Sequence, residues 1–136
     1  MAQARSPLLE KALESFESGE DVRFVNFRYS VPANTLVQLR ARSPLIGLLT
    51  HALFHFPPGC LALVDLRVDV DLISVYPITG WISLDDATPV FKFSRGQPVK
   101  KMDYLDVWLQ NRDTINSHTI SVLLVLEGDV AGGRPS

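Results

Sequence analysis

The sequence predicts an all-β protein: an antiparallel β-sandwich preceded by one short N-terminal helix. Apolar and polar residues alternate in short runs through residues 22–127, and a two-residue period is typical of a strand with one buried and one wet face. Turn residues separate the runs, and helical periods are absent between them, which argues against parallel βαβ units. The eight or nine predicted strands favour an eight-stranded jelly roll, in which two packed sheets protect the edges. An immunoglobulin-like sandwich fits the strand count nearly as well.

The predicted helix lies between Ser6 and Gly19. Ser6 suits the N-cap, Pro7 the first helical position and Gly19 the C-terminal stop. Glutamates occupy one side of this helix, and the other side carries Leu8, Leu9, Ala12, Leu13 and Phe16. Because a short amphipathic helix at a chain end cannot bury its apolar stripe alone, it docks either on its own domain or on a neighbouring subunit. We take four of the apolar residues as candidate interface residues: Leu8, Leu9, Leu13 and Phe16.

Two strands are predicted next, over residues 22–31 and 35–42, with a turn at 32–34. In the first strand the odd positions are the inward ones. In the second, Leu36 shares the outward face with Gln38, Arg40 and Arg42.

The stretch from Leu45 to Val70 carries the clearest pattern, two long strands joined by a turn at residues 56–60. The second of these strands has apolar even positions from 62 to 70, and its odd positions include Asp65, Arg67 and Asp69. In the first, the pattern predicts one face with Ile46, Leu48, Ala52, Phe54 and Phe56, and the other with Leu49, His51, Leu53 and His55.

The remaining strands are predicted at 72–76, 89–93, 104–110 and 119–127, with a loop at 94–98. The strand at 104–110 points Leu105, Val107 and Leu109 inward. The core face of the last strand carries Ile120, Val122, Leu124 and Leu126. We therefore divide the chain into a tail and helix (1–20), a β-sandwich domain (21–128) and a C-terminal tail (129–136).

Composition narrows the functional class. The chain has 136 residues, of which 46% are hydrophobic and 21% charged, as expected for one globular domain with its own core. A net charge of −2 argues against a broad basic surface for nucleic acid. No signal peptide pattern and no run of about 18 apolar residues is present. We therefore predict neither a nucleic-acid nor a membrane partner.

No catalytic, cofactor or metal site is predicted. His51 and His55 on one strand lie about 13 Å apart and cannot share an ion, and we expect His118 to stabilise a turn. Cys60 is the single cysteine, which excludes an intrachain disulfide, and its turn offers no basic neighbour to activate the thiol. Five aspartates resemble calcium ligands in type but lack a binding-loop pattern, so we expect a solvated face: Asp65, Asp69, Asp71, Asp85 and Asp86.

Three aromatic residues stand out because they fall on outward or polar positions: Trp81, Tyr104 and Trp108. Outward aromatic side chains beside Asp106 suggest a contact surface with another subunit or another protein. The alternative is that the second sheet or the helix covers them.

Several turn and strand patterns resemble small jelly-roll virion proteins of tailed phages. The similarity spans residues 22–127, and the patterns that carry it are Phe56-Pro57-Pro58-Gly59-Cys60, Leu63-Val64-Asp65-Leu66, Tyr76-Pro77, Trp81, Asn111-Arg112-Asp113 and His118-Thr119-Ile120-Ser121-Val122. The resemblance implies a capsid decoration (cement) protein, or a head–tail or fibre component, built as a ring or trimer. It also implies the major capsid protein as partner and the virion, assembled in the host cytoplasm, as location. No functional residue is carried over.

We therefore expect a non-enzymatic virion protein that forms a trimer or higher homo-oligomer and stabilises a larger shell, with weak contacts summed by multivalency. The alternative function is a carbohydrate-binding module or adhesin of the same fold. In that case Trp81, Tyr104 and Trp108 form a stacking platform for sugar rings. A cupin-like metalloenzyme is disfavoured, because only three histidines are present.

Overall fold

The computed structural model describes residues 21–128, which form nine strands in two antiparallel sheets. The strands are β1 (Val22–Val31), β2 (Thr35–Arg42), β3 (Gly47–His55), β4 (Val64–Val70), β5 (Ile73–Tyr76), β6 (Ile82–Ser83), β7 (Val90–Val99), β8 (Tyr104–Asn111) and β9 (His118–Gly128). The predicted N-terminal helix and the tail at 129–136 lie outside the described residues. Within the described range, no helix is long and apolar enough to cross a membrane.

The strand order confirms the predicted β-sandwich and gives it jelly-roll topology. Sheet A has the order β1-β9-β3-β7, and sheet B has the order β2-β8-β4-β5, with β6 also pairing with β4. The two-residue β6 can be left out and the remaining eight strands renumbered in chain order. Strands 1, 8, 3 and 6 then form one sheet. The second, seventh, fourth and fifth form the other, which is the strand order of an eight-stranded jelly roll.

The core between the sheets is built from the alternating positions that the sequence marks. The predicted inward residues of β8 and β9 are all buried. They occupy every second position from Leu105 to Leu109 and from Ile120 to Leu126. The outward phase of β2 is also confirmed, since Leu36 is exposed. Alternation is a reliable guide here because each sheet has one face on the core and one face outside.

A β-bulge in β3 overturns the predicted faces of that strand. The register shifts between Leu49 and His51 against both neighbouring strands. Leu49 is therefore fully buried with Ala52 and Phe54, whereas Leu48 is 37% and Ile46 57% exposed. The prediction placed Ile46 and Leu48 on the same face as Ala52 and Phe54, and Leu49 on the other face. This is wrong because a bulge inserts one extra residue and reverses the phase.

Two strand boundaries also differ from the prediction. β4 begins at Val64, since Leu61 and Ala62 adopt positive φ angles of 51° and 57° in a turn. The turn is held by the backbone N–H of Leu61, which donates to Asp85 Oδ1 at 2.8 Å. β7 continues through the predicted loop at 94–98 to Val99. It is an edge strand, where a proline such as Pro98 is tolerated.

Candidate functional site

The outward face of sheet B gathers charged and aromatic side chains from three adjacent strands. Cross-strand pairing places Arg40 opposite Asp106 and Arg42 opposite Tyr104. On the other side of β8, Arg67 lies opposite Trp108. Trp81, which precedes β6, lies on the same surface. We call the exposed or half-buried arginine and aromatic residues of this surface the arginine–aromatic face: Arg40, Arg42, Arg67, Trp81, Tyr104 and Trp108.

A buried carboxylate anchors the first arginine. Asp106 is 0% exposed, and its two oxygens accept hydrogen bonds from Arg40 Nε at 2.8 Å and Arg40 Nη2 at 3.0 Å. Burying a carboxylate without a partner destabilises the fold because the group loses its hydration. Two hydrogen bonds from one guanidinium offset this loss. The same hydrogen bonds raise the pKa of Arg40. The guanidinium is therefore held in one orientation at the surface.

Asp69 organises the second cluster on this face. Its carboxylate accepts hydrogen bonds from Arg67 Nε at 3.2 Å, Ser74 Oγ at 3.1 Å and the indole N–H of Trp108 at 3.1 Å. The Arg67 guanidinium carbon lies 4.8 Å from the ring centroid of Trp81 and 5.4 Å from that of Trp108. Both distances suit cation–π attraction. Arg67 is thereby fixed between a carboxylate and two indole rings.

Tyr104 is surrounded in a similar way. The guanidinium carbons of Arg40 and Arg42 lie 3.8 and 4.5 Å from the centroid of its ring. Arg42 Nη2 also donates to the Tyr104 hydroxyl at 3.2 Å. The Tyr104 ring therefore contacts two arginine cations.

A third arginine–aspartate pair lies at the end of the same face. Arg112 donates to both oxygens of the buried Asp65, through Nε at 2.8 Å and Nη2 at 3.0 Å. The Ser83 hydroxyl donates to the same carboxylate. The expectation that Asp65 and Asp69 form a solvated face is wrong, because both are buried and their carboxylates accept hydrogen bonds from neighbouring side chains. Asp71, Asp85 and Asp86 are exposed, as expected.

The structure brings the predicted aromatic residues Trp81, Tyr104 and Trp108 together on one surface. Their role as an interface stays a prediction. The other predicted interface residues, Leu8, Leu9, Leu13 and Phe16, lie outside the described residues. Sequence reasoning missed the anchoring of the three arginines. The outward phase of β2 and β4 was readable, but which arginine meets which aspartate depends on the strand register.

A second feature is an apolar groove of about 800 Å³ between the edge strands β5 and β7. Three aromatic rings line it, with centroids 4.2 Å apart for the tilted pair Tyr76–Phe91 and 4.9 Å apart for the edge-to-face pair Phe91–Phe93. The buried Phe54 stacks on Tyr76 at 5.3 Å. Burial raises the pKa of Tyr76. The exposed Ile73 belongs to its rim. The groove was not predicted, because it arises where two sheet edges separate.

The remaining candidates for chemistry take structural roles. Cys60 is buried, and burial, followed by the charge of Asp85, raises the pKa of its thiol to about 11, which disfavours the nucleophilic thiolate. His118 Nε2 lies 2.8 Å from Asp113 Oδ2, in agreement with the predicted turn contact. Among residues 21–128, no three metal-ligating side chains cluster.

No protein-family model matches the chain, and no curated protein matches it. A solved structure titled "Crystal Structure of FLHE" is similar at 12% sequence identity and a TM-score of 0.43, covering 80% of this chain and 98% of that chain. A likeness at this level says nothing about function.

Proposed function

We propose that this chain is a non-catalytic β-sandwich that binds protein surfaces through the arginine–aromatic face and acts as a homo-oligomer. One observation carries the proposal. Six Arg, Trp and Tyr side chains share one outward sheet face, and buried carboxylates hold two of the arginines in place. Arg, Trp and Tyr are the residue types that dominate binding energy at protein interfaces.

The anchoring of the arginines favours binding because it lowers the entropic cost of ordering them. Arg40 uses Nε and Nη2 for Asp106, so its remaining N–H groups are available to a partner. Long side chains that are already fixed lose less freedom on association. The complementary surface is one that presents carboxylates to these guanidinium groups.

A second copy of the chain fits this requirement. The chain carries 15 acidic and 13 basic residues, and its loops expose aspartates such as Asp71 and Asp86. When the arginine–aromatic face of one copy meets an acidic surface elsewhere on the next, the contact is head-to-tail, and such contacts form a ring when the rotation between copies closes. A trimer or larger ring is therefore the assembly we propose.

The virion role is the most specific form of this proposal. A capsid shell repeats the same docking site many times, so a ring of identical subunits gains affinity by multivalency without any single strong contact. In this form the partner is a major capsid protein and the location is the virion. The resemblance of the turn and strand patterns supports it.

Sugar binding receives less support from the geometry. A sugar ring stacks on the free face of an aromatic side chain, whereas guanidinium groups lie over Trp81, Tyr104 and Trp108. The indole N–H of Trp108 is also engaged by Asp69. Trp81 is 38% exposed, which makes it the residue on which a sugar-binding function depends most.

The test is sedimentation velocity on the full-length chain and on Trp81→Ala/Arg42→Ala. Ile115→Ala is the control, because Ile115 is exposed on the β8–β9 turn, away from the face. We expect a defined oligomer for the wild type and the control, and a shift to monomer for the double variant. An unchanged oligomer in the double variant would overturn the proposal. So would glycan binding by a monomeric wild type that Trp81→Ala abolishes.

A further inference from the structure

The outward face of sheet A carries an apolar cluster that the core between the sheets does not include. Leu53, Leu123 and Val125 are 2%, 1% and 0% exposed, and Val22 and Phe24 are partly buried against them. Strand pairing brings Phe24 next to Val125, and Leu123 next to Leu53. We call these five residues the sheet A patch.

The position of the patch means that a segment other than the nine strands must keep it from water. β9 and β3 are the two inner strands of sheet A, so the patch lies in the middle of the sheet. None of the strands β1–β9 lies over it, since each belongs to one of two sheets and sheet B packs against the opposite face. Apolar area removed from water stabilises a protein by about 25 cal/mol per Å², so exposing Leu53, Leu123 and Val125 to water would be unfavourable.

The chain that precedes β1 is placed to supply this cover. Twenty residues come before Asp21, and β1 begins at Val22, which is itself part of the patch. A helix over residues 7–18 measures about 18 Å at a rise of about 1.5 Å per residue. Four strands span about 14 Å at a spacing of about 4.8 Å. The predicted helix is therefore long enough to cross sheet A.

The chemistry of the two surfaces is complementary. The predicted stripe of the segment is apolar, as the patch is, and Glu10, Glu14 and Glu17 lie on the opposite side of the predicted helix. Around the patch, the outward phase of sheet A carries Arg28 on β1, Lys92 opposite His51, and Glu127 opposite Val22. The surroundings of the patch are therefore of mixed charge, and the match between the two surfaces is an apolar one.

We propose that residues 7–18 cover the sheet A patch of their own chain, with the leucines of the predicted stripe against Leu53, Leu123 and Val125. The groove between β5 and β7 is a poorer site for this segment. It opens beside β7, the opposite edge of sheet A from β1, so the short link from residue 18 to Val22 would have to cross the full width of the sheet.

Cross-linking in the full-length chain tests the proposal. Glu14→Cys and Lys92→Cys place one thiol on the segment and one beside the patch, and a bis-maleimide joins them across a range of distances. The native Cys60 is buried. We expect an intrachain cross-link that leaves the chain at monomer mass. The control pair is Glu14→Cys with Gln38→Cys, which is exposed on sheet B and should not cross-link. Interchain products alone would show that the segment covers a neighbouring copy, and no product would show that it lies elsewhere; either result overturns the proposal.

Thermal unfolding gives a second, independent test. Leu9→Ser/Leu13→Ser removes apolar area from the stripe, whereas Lys11→Ser/Glu14→Ser changes two residues on the opposite side of the predicted helix and keeps the net charge. We expect the first variant to lower Tm by about 5 °C or more, and the second to change it by less than half as much. Equal Tm values for the wild type and the leucine variant would overturn the proposal.

Discussion

Arg40 holds both carboxylate oxygens of Asp106, at 2.8 and 3.0 Å, across two strands whose residues are 66 positions apart in the chain. Asp106 has no exposed surface. Its buried carboxylate therefore holds the Arg40 guanidinium in place on the outer face of the sheet. The same arrangement recurs with Arg112 and Asp65. Sheet B therefore presents guanidinium groups on a rigid support.

This pairing predicts that Arg40→Ala destabilises the fold. The substitution leaves a buried carboxylate without its bidentate partner. The control is Arg23→Ala, whose partner Asp21 is half-exposed, because exposed ion pairs contribute little. Urea unfolding should show a clearly lower midpoint for Arg40→Ala and almost no change for Arg23→Ala. Equal midpoints would mean that Asp106 does not depend on Arg40.

Asn111 is predicted to be a structural anchor of the β8–β9 turn. Its buried side-chain amide donates to the carbonyl oxygens of Val31, Pro32 and Asn116 at 3.1, 3.2 and 2.9 Å. Asn111→Ala removes the donor to the buried Val31 carbonyl and to two part-buried carbonyls, and we expect a loss of about 2 kcal/mol in the free energy of unfolding. Asn116→Ala, at an exposed position, should cost less than about 0.5 kcal/mol. Chemical denaturation measures both, and a similar small loss for the two variants would contradict the assignment.

The bulge in β3 predicts opposite behaviour for two adjacent leucines. Leu49 is fully buried and Leu48 lies on the outer side. Leu49→Ala should cost about 2–5 kcal/mol, the usual range for a buried leucine, whereas Leu48→Ala should cost less than about 1 kcal/mol. The unbroken alternation read from the sequence instead places Leu48 on the face of Phe54 and Leu49 on the other face. Unfolding free energies of the two variants therefore decide where the bulge lies.

The hydrogen bonds of Asp113 predict that the stability of the fold decreases in strong acid. Hydrogen bonds from the Ile115 N–H, from His118 and from the Asn116 N–H hold the pKa of this carboxyl well below its usual range. A depressed folded-state pKa stabilises the fold above the unfolded value of about 3.9, and this contribution is lost as the pH falls through the folded-state pKa. Asp113→Asn should thus lower Tm at pH 7 and pH 4, with the difference from wild type shrinking only in stronger acid. A difference that disappears near pH 5 would contradict this account.

Much of the fold was readable from the sequence because, on most strands, core residues alternate with residues on the outer face of the sheet. The phases of β2, β8 and β9 follow from this alternation. The bulge at Leu49–His51 and the positive φ angles of Leu61 and Ala62 were not readable. Each changes the phase or the end of a strand without any change in composition.

The candidate site was readable only in part, for a different reason. Trp81, Tyr104 and Trp108 were identified because aromatic residues at outward positions are unusual. The pairing of Arg40 with Asp106, and of Arg67 with Asp69 and two indole rings, depends on how β2, β4 and β8 align. A sequence does not reveal that register before the sheet is formed.

The most direct measurement of the central claim is the mass of the full-length wild-type chain in solution, followed by light scattering as the salt concentration is raised. An assembly held by guanidinium and carboxylate groups at its contact should form a trimer or larger ring at low salt. It should dissociate progressively as the Debye length falls from about 10 Å at 0.1 M to about 3 Å at 1 M. A chain that stays monomeric at every salt and protein concentration would contradict the account.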